Sequence, residues 1–162
     1  MGTLVIFMSK HGCAEKAARI IGENISDSVV SVIDLKSRAD IDLSRYDTVI
    51  IGGSIYLGSL QRGLRKYCDK NLPQLLTKRI GLFICCMNEG EAAIRHFEAV
   101  FDGALRARAV AAGIFGGELD FGRLSVLEKG VIGQAVSITE SVSRFDEAAV
   151  RDFAAKFTHA AG

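Results

Sequence analysis

At 162 residues the chain is long enough for one domain with a sizeable core. Nearly half of it is apolar and about a quarter charged, and the net charge is +1 with no dense Lys/Arg cluster, so no nucleic-acid surface is indicated. No stretch approaches the roughly 18 consecutive apolar residues of a membrane span, and no charged leader or cleavage pattern precedes the first strand, so a cytoplasmic protein is expected.

Leu4 to Met8 is a short unbroken apolar run, the pattern of a strand buried on both faces of a parallel sheet. Ser9 to Ala14 switches to small and polar residues, with Gly12 allowing a tight turn. Ala14, Ala17, Ala18, Ile21 and Ile25 then follow at helical spacing. A strand feeding a glycine-containing loop at a helix N-terminus brings free N–H groups and the helix dipole together. This crossover reads as a phosphate cradle, with an ordinary strand-to-helix turn as the alternative.

Ser28 to Leu35 predicts a second strand, less uniformly apolar and so at an edge, followed by a polar connection from Lys36 to Tyr46. Thr48 to Ile51 is a third strand running into Gly52-Gly53-Ser54-Ile55-Tyr56-Leu57-Gly58. Leu60, Leu64 and Tyr67 give a helix, and Pro73 marks its end or a following turn. Arg79 to Met87 predicts a fourth strand, closed by Asn88-Glu89-Gly90; Ile94, Phe97 and Phe101 form the next helical face. Ala107 to Phe115 predicts a fifth strand ending at Gly116-Gly117. Leu124 to Val136 reads as a short helix with Leu124, Leu127, Val131 and Ala135 on one side. In the last helix Asp146 is the N-cap, Phe145 and Val150 form a hydrophobic staple, and Val150, Phe153, Ala154 and Phe157 make the buried stripe.

No repeat or linker divides residues 1–162, so a single domain is expected. Strands alternating with helices predict an α/β fold, an open parallel sheet with helices on both faces. Ligands in such sheets sit beyond the carboxyl ends of the strands, where strand order reverses. The loops at those ends, Ser9–Ala14, Ser54–Gly58, Met87–Gly90 and Gly116–Phe121, are all rich in glycine or small polar residues.

The stretches Ser9-Lys10-His11-Gly12, Ile51 to Gly58 and Gly116-Gly117-Glu118-Leu119-Asp120-Phe121 resemble the flavodoxin-like FMN proteins, in particular the short flavodoxin-domain proteins related to menaquinone-dependent protoporphyrinogen oxidase. The resemblance covers most of the chain and implies a three-layer sandwich whose five-stranded parallel sheet has the order 2-1-3-4-5, with FMN at its carboxyl edge. It implies that Ser9, Lys10, His11, Gly12, Cys13 and Ala14 wrap the FMN phosphate. Ser54, Ile55, Tyr56, Leu57 and Gly58 would line one side of the isoalloxazine, and Met87, Asn88, Glu89 and Gly90 would form the other loop. Two features depart from the family. Ala14 stands where a Thr or Ser hydroxyl is usual, removing a hydrogen bond worth roughly 1.5–3 kcal/mol to a charged acceptor. The loop after the fourth strand lacks the long insertion of the protoporphyrinogen oxidases.

Each of these residues also has a plainer reading. Tyr56 could stack on a flavin or be a half-exposed turn tyrosine. Because glycine tolerates either sign of φ, the Leu57–Gly58 peptide could turn its N–H toward flavin N5; a simple loop turn is the other reading. Cys13 is placed in an exposed loop at a helix N-terminus, where a thiol pKa can fall; a small residue tolerated beside the phosphate is the favoured reading. Adjacent Cys85 and Cys86 point to opposite faces of a buried strand and serve packing. The four cysteines lack C-x-x-C or Cys/His spacing and the three histidines have no paired ligands, so neither a metal site nor a disulfide framework is expected.

The leading expectation is an FMN-dependent oxidoreductase passing electrons between an organic donor and an acceptor such as a quinone, with the redox chemistry in the cofactor and no residue named as catalytic. A small electron carrier exchanging with a redox protein is the alternative, and a degenerate flavin-free interaction module is the third. Helical faces leave a homodimer open.

Overall fold

The computed structural model describes residues 2–9, 12–26, 29–38, 40–55, 59–87, 89–119, 142–143 and 145–158. Five parallel strands, β1 (Gly2–Met8), β2 (Val30–Asp34), β3 (Tyr46–Ile55), β4 (Arg79–Cys86) and β5 (Ala109–Ile114), form one sheet in the order β2-β1-β3-β4-β5. This is the expected order. A two-residue pair, β6 (Glu118–Leu119) with β7 (Val142–Ser143), is antiparallel and separate.

Alternation along the central strands builds two cores. Leu4 and Ile6 of β1, Val49 and Ile51 of β3, and Leu82 and Ile84 of β4 face one way, beneath α2 (Ser59–Lys70), α3 (Leu72–Leu75), α4 (Gly90–Val100) and α5 (Gly103–Arg108). Val5, Phe7, Ile50, Phe83 and Cys85 face the other way, beneath α1 (Cys13–Glu23) and α6 (Glu147–Ala155). Cys85 and Cys86 thus fall in opposite cores, as strand alternation requires. The C-terminal helix also follows its sequence signals: an Asp146 carboxylate oxygen accepts the Ala149 N–H at 3.0 Å, and Val150, Phe153, Ala154 and Phe157 are buried.

Several elements differ from expectation. β3 runs through Gly52, Gly53, Ser54 and Ile55, where a loop was expected. Gly52 pairs with Phe83 in the β3–β4 ladder, and the Phe83 ring fills the space above it: a Cβ there would stand 2.2 Å from the ring. Residues 107 and 108 belong to the short helix α5, capped by Asp102, whose carboxylate accepts Ala104 N–H at 2.8 Å, so β5 starts later than its apolar run. On α4 the buried face is Ala93, Phe97 and Val100, whereas Ile94 is about half exposed; Phe101, just past the helix, is fully buried. Pro73 sits in the first turn of α3, where its missing N–H costs nothing. Residues 124–136, expected to be helical, lie outside the described residues.

Candidate functional site

Between β1 and β3 the chain reverses its direction of travel across the sheet, since β2 lies on one side of β1 and β3, β4 and β5 on the other. The two strands stay in register up to Met8 beside Gly53. The next residue on each is a serine, and the Ser9 and Ser54 hydroxyl oxygens meet at 3.2 Å. Both side chains are buried, at 6% and 8% exposure.

These hydroxyls receive the start of α1. Ser9 Oγ accepts the Gly12 N–H and Ser54 Oγ the Ala14 N–H, each at 2.9 Å. Gly12 is the helix N-cap, at φ 89°, a left-handed conformation that strains any residue with a Cβ. It contributes no side-chain cap, so the serines of two other segments take that part. Two hydroxyls carry two hydrogens, and their mutual bond uses one, leaving the other to be donated to a further acceptor. Lys36, in the turn after β2, adds a cation: its Nζ donates to the Ser9 carbonyl. Asp34 shapes that turn, its carboxylate accepting the Lys36 N–H at 2.9 Å and its carbonyl the Ser37 N–H at 3.1 Å. Buried donors, a helix N-terminus and a lysine together favour an oxyanion.

Of the residues expected to wrap a phosphate, Ser9, Gly12, Cys13 and Ala14 are brought together here, while Lys10 and His11 lie outside the described residues. Cys13 is buried at 5% exposure as the first residue of α1, which corrects its placement in an exposed loop. Ala14 is fully buried, and its N–H is taken up by the Ser54 hydroxyl. Of the residues expected against a ring, Ser54 turns toward this helix start and Ile55 ends β3. Tyr56, Leu57, Gly58 and Asn88 lie outside the described residues.

The remaining part of the second expected loop stands at the carboxyl end of β4. Met87 is partly buried there, and a Cβ on Gly117 would come within 3.0 Å of its sulfur, so the ends of β4 and β5 close tightly on each other. Glu89 is the N-cap of α4 without a side-chain capping bond, and Gly90 opens that helix at φ 60°. With Ile94, Ile114, Phe115 and Asp146 they line a cavity of about 390 Å³ toward β5. Among the described residues no three His, Cys, Asp or Glu side chains gather to hold a metal ion, and no helix is long and apolar enough to cross a membrane.

Sequence reasoning missed two participants, Lys36 and the inward turn of Ser54. Lys36 stands just past the carboxyl end of β2, the region where a doubly wound sheet binds ligands, and that position was its one available signal.

The strand order, the reversal between β1 and β3 and the helix N-terminus there define a doubly wound α/β protein. The family model for the flavodoxin domain matches residues 4–146, and the chain belongs to that family. Solved structures agree in fold. The flavodoxin of Streptococcus pneumonia TIGR4 aligns over 97% of both chains at 16% identity and a TM-score of 0.57. A short-chain flavodoxin associated with a non-canonical PDU bacterial microcompartment aligns over 97% of this chain and 96% of its own, at 14% identity and a TM-score of 0.54. A flavodoxin from the domain Archaea aligns over 98% of this chain and 100% of its own, at 16% identity and a TM-score of 0.50. No curated protein matches the chain.

Flavodoxin domains typically bind FMN. The phosphate end of that cofactor fits what stands at the β1–β3 reversal. An anion there would meet the spare serine hydrogen, the start of α1 and the Lys36 ammonium.

Proposed function

We propose that the chain is an FMN-binding electron-transfer protein. The observation that carries this reading is the Ser9–Ser54 contact, which sets two buried hydroxyls and the N-terminus of an eleven-residue helix around one point at the sheet's reversal. Bound FMN supplies the one- and two-electron chemistry. Ser9, Ser54 and Gly12 would hold its phosphate, with Lys36 balancing part of the charge. Tyr56, Leu57 and Gly58 on one side and Met87, Asn88, Glu89 and Gly90 on the other would grip the ring and limit access to it. Cys13 and Ala14, both buried, would form the floor of the cradle.

The electron acceptor in this reading is a small organic molecule, a quinone above all, as in the branch related to menaquinone-dependent protoporphyrinogen oxidase. Its support is the net charge of +1, since a carrier that docks on redox proteins profits from a strongly charged surface. Reconstitution with FMN followed by absorbance spectroscopy tests the cofactor. Steady-state turnover of the reduced, FMN-loaded protein with quinones tests the acceptor. Rapid exchange with a flavin reductase and no turnover with any quinone would make the protein a carrier.

A further inference from the structure

Parallel strands of one sheet are usually joined through a helix that roofs it. Among the described residues, the passage from β2 across β1 to β3 instead carries a single three-residue turn of 3₁₀ helix, Leu43–Arg45. The α2 side of β1 and β2 is therefore roofed by a loop, and a cavity of about 350 Å³ opens between that loop and α2. Its volume lies in the range of small-molecule sites, about 300–1,000 Å³.

The lining has two characters. Met8 and Leu35 at the strand ends and Ile41 on the connection are apolar. Lys66 and Lys70 lie one helical turn apart on α2, and among the described residues neither has an ion-pair partner; Asp40, on the connection, is the one opposing charge in the lining. Tyr67, also in the lining, is 8% exposed, and its hydroxyl is buried with no hydrogen-bond partner among the described residues. An orphan donor of that kind is uncommon in a folded protein and calls for an acceptor. The cavity lies on the opposite side of the sheet from the serine cluster, since Met8 packs toward α2 while Ser9 and Ser54 bond the start of α1.

We propose that this cavity is a second binding site, for a small amphipathic carboxylate. Its hydrocarbon part lies against Met8, Leu35 and Ile41, its carboxylate pairs with Lys66 and Lys70, and one oxygen accepts the Tyr67 hydroxyl hydrogen. The site stands whether or not the protein binds FMN.

Octanoate, titrated calorimetrically into the full chain with and without FMN, is the probe, with octanol and octylammonium as matched neutral and cationic controls. Saturable octanoate binding is expected, at least about tenfold tighter than either control and unchanged by FMN. Replacing both lysines, Lys66→Gln with Lys70→Gln, should weaken it about tenfold or more. Tyr67→Phe should weaken it severalfold without lowering the thermal midpoint of the free protein, because the lost hydroxyl had no partner. Absence of saturation would overturn the site. Equal binding of the three probes, or undiminished binding to the double-lysine variant, would overturn its anion selectivity. Displacement of octanoate by FMN would assign the probe to the flavin cradle and overturn it as well. Should the lysine variant fail to fold by circular dichroism, Ile41→Trp, which fills the cavity from the partly buried Ile41 position in its lining, must abolish binding.

Discussion

Ser9 and Ser54 stand 45 residues apart in the chain, yet their hydroxyls meet at 3.2 Å and each accepts an N–H from the opening of α1. The bond spans β1 and β3, the two strands between which the chain reverses. It couples the sheet's topology to the helix start.

Lys36 reaches this cluster from an exposed turn, its Nζ donating to the Ser9 carbonyl. Lys36→Met should weaken FMN binding about threefold, the scale of an exposed charge pair. The variant should also lose part of the salt dependence of binding. Flavin fluorescence titrations at low and high salt measure both effects.

Gly52 allows Phe83 to lie across β3, and a Cβ there would stand 2.2 Å from the ring. Phe83 is fully buried and stacks on Phe115, with ring centroids 5.5 Å apart, so it has little room to yield. Gly52→Ala should destabilise the protein by about 3 kcal/mol, the upper end of ordinary overpacking. Urea unfolding of the variant against the wild type gives the value.

Alkaline pH should unfold the protein through α2. Burial pushes the Cys68 thiol up from 9.0 to about 12, with the Asp69 carboxylate adding to it, and burial likewise raises the Tyr67 phenol from 10.0 to about 12. Both groups hold their protons more tightly folded than unfolded. Their stabilisation is complete below about pH 8 and is lost as pH rises toward 12, because the unfolded chain deprotonates first. The urea midpoint should therefore fall between about pH 8.5 and about pH 10.5, and Cys68→Ala should flatten that slope.

What could be read from the sequence was whatever local pattern controls. The α6 cap and stripe follow from Asp146 and the spacing of Val150, Phe153 and Phe157, because capping and helical periodicity act over a few residues. Sheet order came from resemblance, not from pattern. Gly52 and Gly53 looked like loop residues because composition cannot show that Phe83 and Leu64 from elsewhere need the space above them. α5 was hidden since its cap, Asp102, precedes a run whose alanines and valine suit a strand as well. Ser54 was assigned to a ring and Lys36 to a polar connection; both roles arise from contacts spanning 27 to 45 residues, which no local window contains.

The decisive measurement is the affinity of the purified protein for FMN compared with riboflavin, in the wild type, Ser9→Ala and Ser54→Ala. The wild type should bind FMN far more tightly than riboflavin, and each serine variant should lose roughly ten- to a hundredfold in FMN affinity while its riboflavin affinity stays nearly unchanged. Equal affinity of the wild type for the two flavins, or serine variants that bind FMN as the wild type does, would contradict a phosphate cradle at the β1–β3 reversal.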